Sequence, residues 1–170
     1  MADTAVNNGP EVAAREALVD DLDAIVDIAK QGLDEQRDAR GGPIWAVRET
    51  RSAPFELSLR EALTDPDHSV LVGTIDDVVV GYAAVRAELM RSGDALGVIE
   101  DLHVLEGARE VGVAEAIIDL VIPWCEARNC IGIDALALPG NRSTKNFFES
   151  FGFKARLLTV HRPLKTHATD

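Results

Sequence analysis

Residues 98–116 read V-I-E-D-L-H-V-L-E-G-A-R-E-V-G-V-A-E-A, and the fold turns on how this stretch divides. Its first half alternates like a strand, which puts Val98, Glu100, Leu102 and Val104 on one face and Ile99, Asp101 and His103 on the other. A β-bulge would swap the second set relative to the first. Its second half changes period: Val113, Ala116, Ile117, Leu120, Val121 and Trp124 fall at the spacing of a helical apolar stripe. Between them lies Arg109-Glu110-Val111-Gly112-Val113-Ala114, a strand-to-helix junction with two small residues placed two apart.

The first N–H groups of a helix have no intrahelical acceptor and carry partial positive charge. Where the backbone is bare enough, a phosphate can accept several of them. Gly112 and Ala114 supply the low bulk and Arg109 a cation. The junction therefore reads as a pyrophosphate cradle, or as a tight turn whose small residues only permit close packing.

Upstream, Val12 to Leu18 is expected as a strand. Asp20-Asp21 then opens a helix carrying Leu22, Ile25, Val26, Ile28 and Ala29, which stops at Gly32 or frays beyond it. Residues 33–54 read as a loop or broken helix; Trp45 within it either lines a pocket or plugs the loop down. Pro54 to Leu63 predicts a helix with proline in the tolerated first turn. Ser69 to Ile75 and Val78 to Leu89 predict a hairpin about the turn Asp76-Asp77. Downstream, Pro123 should kink the long helix or mark its approaching end. Gly132 to Leu138 reads as a buried strand, Asn141 to Phe151 as a helix, and Phe153 to Leu164 as a last strand.

The 170 residues suit one domain over 11–164 with mobile tails at 1–10 and 165–170. A net charge of −12 speaks against nucleic acid or an anionic membrane as partner. No apolar run is long enough to span a bilayer, and the N-terminus shows no secretory signal. Cys125 and Cys130 form neither a redox motif nor a ligand set, and the four histidines lack metal spacing. The expectation is a cytoplasmic protein with reduced cysteines and no metal.

The junction resembles the acyl-CoA-binding motif Q/R-x-x-G-x-G/A of the GNAT superfamily of N-acetyltransferases, with Arg109, Gly112 and Ala114 at its fixed positions. A second segment, Asn141-Arg-Ser-Thr-Lys-Asn-Phe-Phe-Glu-Ser-Phe-Gly152-Phe153, resembles the family's N-x-x-A-x-x-l-Y-e-k-l-G-F. The element order agrees over about residues 12–164. The resemblance implies an α/β GNAT fold, a mixed, mostly antiparallel sheet flanked by helices. It implies acetyl-CoA as cosubstrate: Leu102 and Val104 would pair with the pantetheine arm, Arg109, Glu110, Val111, Gly112, Val113 and Ala114 would hold the pyrophosphate, and Asn141, Lys145 and Phe148 would also touch the cofactor. Self-pairing into a homodimer is suggested by fold analogy alone.

Acetyl transfer needs a neutral amine, and a carboxylate can take the ammonium proton. I-E-D-L-H-V resembles the E-D-x-x-V of polyamine-type acetyltransferases, so Glu100 is the candidate base; a solvated edge charge is the alternative. The acceptor would meet residues 33–54 and the hairpin, with Trp45 and Tyr82 as substrate-binding candidates. Two departures stand out. The family's thiolate-protonating tyrosine is replaced by Phe148, and Glu110 puts an acid beside the phosphate site. Both leave open a module that binds acyl-CoA with little turnover.

Overall fold

The computed structural model describes residues 9–164; the tail segments 1–8 and 165–170 lie outside them. Five strands form one sheet in the order β1 (Val12–Glu16), β2 (His68–Ile75), β3 (Val78–Leu89), β4 (Ala95–Val104), β5 (Cys130–Ala135). The first four pair antiparallel and β5 joins β4 in parallel through the helix α4 (Val113–Glu126). The hairpin forms about Asp76 and Asp77, whose φ values of 48° and 66° are those of a primed two-residue turn.

Helices cover both faces. On one lie α1 (Leu22–Arg37), α2 (Gly42–Arg48) and α3 (Phe55–Thr64), where Leu22, Ile25, Leu59, Val70, Val72 and Tyr82 form a core. On the other lies α4, where Val113, Ile117, Ile118 and Val121 pack on Leu71, Ala83, Val85 and Ile99, joined by Phe148 of α5 (Arg142–Ser150).

Four readings of the sequence change. Helix α1 passes through Gly32 to Arg37, because this glycine leans on a neighbour. A Cβ there would sit 2.4 Å from the His103 ring of β4. The buried stripe of α4 is Val113, Ile117, Ile118, Val121 and Cys125; Leu120 and Ala116 do not belong to it, and Leu120 is exposed. Strand β5 is a half-buried edge, not a fully buried strand; it ends at Ala135, with Ile131 outward and Leu136 exposed just beyond its end. The expected strand from Phe153 to Leu164 is absent. Phe153 anchors the segment in the core, but the residues after it make no ladder, and Leu157 and Val160 are 75% and 94% exposed. Alternating apolar residues make a strand only where an edge takes up their hydrogen bonds.

Two glycines set the height of α4 above the sheet. Gly73 and Gly81 face each other across β2 and β3. A Cβ on Gly73 would lie 2.5 Å from Val113 Cγ1, and one on Gly81 3.2 Å from the same atom. The first turn of α4 therefore rests on bare backbone.

Candidate active site

The decisive irregularity is in β4. Ile99 pairs with Val85 and Asp101 with Ala84, so Glu100 is an extra residue with no partner on β3. This is a β-bulge, and it overturns the regular alternation. Ile99, Leu102 and Val104 pack toward α4, whereas Glu100 and Asp101 reach the same guanidinium on the α3 side. Glu100 thus does not share a face with Leu102 and Val104.

At the same point the sheet forks. The β4–β5 ladder ends at Ile99 opposite Ala135, so the β5-facing edge of residues 100–104 is unpaired within the ladder. A cleft of about 1000 Å³ opens there, lined by α3, β3, β4, β5, α5 and the segment after Phe153. That volume suits a small-molecule site.

Around Glu100 stands a charge cluster that sequence reading missed. Arg51, from the loop between α2 and α3, donates from Nε to Asp101 Oδ2 at 2.8 Å and from Nη2 to Glu100 Oε2 at 3.1 Å. Arg86 Nε lies 2.9 Å from Glu100 Oε1. His68 Nε2 lies 3.7 Å from Glu100 Oε2, and its Nδ1 lies 2.9 Å from Asp65 Oδ2 without hydrogen-bond geometry. Asp101 is 8% exposed and holds the Arg51 guanidinium charged against the cost of its burial. Arg86 was legible: it shares the alternating face of Tyr82 and Ala84 on β3. Arg51 sits in an irregular loop, where no period marks it.

The other candidates divide. Asn141 caps α5, its Oδ1 accepting from Thr144 N at 3.1 Å and from Ser143 Oγ at 2.9 Å. Lys145 pairs with Glu149 one turn on. Asn141, Lys145 and Phe148 all line the cleft. Tyr82 does not; it is 1% exposed, and burial and Asp101 push its hydroxyl well above its ordinary pKa. Trp45, Tyr82 and His103 instead surround a void of about 10 Å³ behind Arg51. Burial pushes His103 below the usual histidine pKa, which keeps it uncharged at neutral pH.

Residues 109–114 lie outside the cleft lining, at the start of α4. Arg109 donates from Nε to Val104 O at 2.9 Å and pairs with Glu35 of α1, tying the end of β4 to the helix above it. Glu110 and Gly112 take left-handed backbone angles, φ 64° and 97°, and the Glu110 side chain is exposed. Among the described residues no acceptor meets the N–H groups of Val113, Ala114 or Glu115. Cys125 is buried under Gly97, and its thiol is pushed up to about 12, which leaves it unreactive. No helix among the described residues is long and apolar enough to cross a membrane.

Comparison with known proteins agrees with this architecture. A tetramutant of the BH1408 protein of Bacillus halodurans superposes with a TM-score of 0.74 at 22% identity, over 89% of this chain and 99% of that one. A putative acetyltransferase of Agrobacterium tumefaciens gives 0.67 at 19% identity, over 89% and 99%. The aminoglycoside N-acetyltransferase AAC(6')-Iy, solved with CoA, gives 0.66 at 17% identity, over 95% and 99%. At these identities the likeness is one of fold. No curated protein sequence matches the chain. The sequence profile of the acetyltransferase (GNAT) family, however, matches residues 33–153, so the chain belongs to the GNAT acetyltransferase family and is an acyltransferase.

Proposed function

We propose that this protein transfers an acetyl group from acetyl-CoA to a primary amine of a small molecule or peptide, by direct attack, with Glu100 as general base. The observation that carries the proposal is the coincidence of three features at one point: the β4–β5 fork, the bulge, and the Glu100 carboxylate in the cleft wall. The unpaired β4 edge suits strand-like pairing of Leu102 and Val104 with the pantetheine arm. The bare amides of Val113 and Ala114, with Arg109, Glu110, Val111 and Gly112, suit a diphosphate. Asn141, Lys145 and Phe148 would flank the cofactor from α5.

In the reaction the amine nitrogen forms the bond to the thioester carbonyl carbon. Its proton passes to Glu100, a backbone N–H near Val104 meets the developing oxyanion, and the C–S bond breaks. Both Glu100 oxygens carry ion pairs, so the arriving ammonium must share or displace the Arg51 contact. The leaving thiolate takes its proton from water, since a thiol pKa near ~8.5 makes it a tolerable leaving group. We place the reaction in the cytoplasm, in one domain spanning residues 11–164, with no metal, nucleic acid or membrane involved; the homodimer is a proposal from fold analogy.

Thiol release over a panel of amines, with calorimetry for acetyl-CoA, tests the reading. A second reading, an acyl-CoA-binding module with little turnover, is favoured by Phe148, a ring with no O–H in the cleft wall; binding without thiol release would select it. Phe148→Tyr is expected to raise kcat up to about tenfold by placing an acid at the departing sulfur, measured as thiol release at saturating amine. An unchanged kcat would show that thiolate protonation does not limit the rate.

A further inference from the structure

We infer that His68, with Asp65, is a relay that carries the proton from Glu100 out of the cleft. The inference rests on Glu100 being the base. Three observations converge on it. First, the register aligns the groups across the sheet: His68 opens β2 opposite Arg86 of β3, whose side chain meets Glu100 of β4. The bulge is what turns Glu100 to this side. Second, the imidazole stands between two carboxylates, its Nε2 3.7 Å from Glu100 Oε2 and its Nδ1 2.9 Å from Asp65 Oδ2. Third, Nδ1 is buried and has no hydrogen-bond partner among the described residues. A buried imidazole nitrogen left unpaired costs stability, and a small turn of the ring would pair it with the Asp65 carboxylate 2.9 Å away. Asp65, by contrast, is exposed at the end of α3.

A relay gives the proton a fixed route beside the open face of Glu100, which is itself exposed in the cleft wall. Each turnover leaves a proton on Glu100, whose oxygens face Arg51 and Arg86. Neither guanidinium can accept a proton. His68 is the neighbour that can. In the relay, protonated Glu100 gives its O–H proton to Nε2, forming imidazolium. The imidazolium then releases its Nδ1 proton to Asp65, and Asp65 releases it to bulk water. Glu100 returns to carboxylate and the ring to neutral, with one proton moved and none gained. The 3.7 Å gap closes by a small side-chain swing, as catalytic hydrogen bonds often tighten only when substrate is bound. Asp65 and Glu100 are the carboxylates within 4 Å of the imidazole; Arg86 is paired with His68 across the sheet, and Arg51 and Glu88 share the cleft lining with it. The carboxylates favour the transient imidazolium and the guanidinium groups oppose it.

The test is His68→Gln, assayed by thiol release in dilute buffer beside Glu100→Gln. His68→Gln is expected to lower kcat about tenfold, with the KM for acetyl-CoA unchanged. Added imidazole should restore the rate of this variant and leave the wild type unaffected, since a purely structural histidine gives no such rescue. Asp65→Asn changes an exposed group and keeps an oxygen to accept from Asp67 N, and it should make kcat dependent on buffer concentration in the same way. Wild-type turnover by His68→Gln beside a crippled Glu100→Gln would overturn the relay alone, as would a depressed rate that imidazole does not restore. Should His68→Gln fail to fold, a buffer-independent wild-type rate in Asp65→Asn overturns it. Normal turnover by Glu100→Gln would remove the base, and the relay with it.

Discussion

Glu100→Gln should lower kcat about 10²–10³-fold at neutral pH, the ordinary worth of a positioned base. Gln keeps the size of the side chain and one oxygen that can accept from Arg86 or Arg51, so the fold and the cleft are retained. What is lost is the site for the ammonium proton. The residual rate should then follow the fraction of acceptor already neutral, rising about tenfold per pH unit toward the amine pKa near ~10. Melting temperature and the KM for acetyl-CoA should stay close to wild type. A pH–rate profile of thiol release checks all of this, and a wild-type rate at every pH would remove Glu100 from the chemistry.

Gly73→Val should strike stability and cofactor binding together. Valine is the better strand former, worth up to about 1 kcal/mol in an open position. Here its Cβ would begin 2.5 Å from Val113 Cγ1 and about 3 Å from Ile117, both fully buried. Overpacking of this kind costs about 1–3 kcal/mol. With two γ-methyls added beyond the Cβ, the upper end applies, leaving a net loss of about 2 kcal/mol. For a chain of this length that lowers Tm by roughly 4–8 °C. The displaced residue is the first of α4, so the amides proposed for the diphosphate move with it. The KM for acetyl-CoA should rise about tenfold, a change of about 1.4 kcal/mol in binding. Thermal denaturation and initial-rate kinetics read the two effects separately.

The contrast between Gly73 and Glu100 shows what the sequence made legible. Periodicity placed β2, β3, α3 and α5 within a residue or two, because their patterns are local and Pro54, Asp76-Asp77 and Asn141 punctuate them. It placed the start of α4 at the junction. Helix α1 ran past Gly32 because the glycine answers to His103, a contact 71 positions away along the chain. The face of Glu100 was misread for a similar reason: a bulge is a property of two paired strands, and one strand alone does not encode it. Arg51, His68 and Asp65 stood in a loop, at a strand end and at a helix end, and only the folded sheet brings them to Glu100. The strand expected from residues 153–164 failed because alternation states a capacity for pairing and supplies no partner.

The extra residue in β4 also separates what folds from what reacts. Remove Glu100 by deletion, and Ile99 and Asp101 become successive residues opposite Val85 and Ala84, which gives an unbroken ladder. Ile99 would still point to α4 and Asp101 to Arg51, so both cores keep their parity. A single lost codon would therefore yield a protein that melts as a cooperative unit and turns over no faster than the residual rate of Glu100→Gln. Circular dichroism beside thiol release would expose that split. Insertions and deletions in a strand ordinarily damage architecture first; in this sheet one of them would damage only the chemistry.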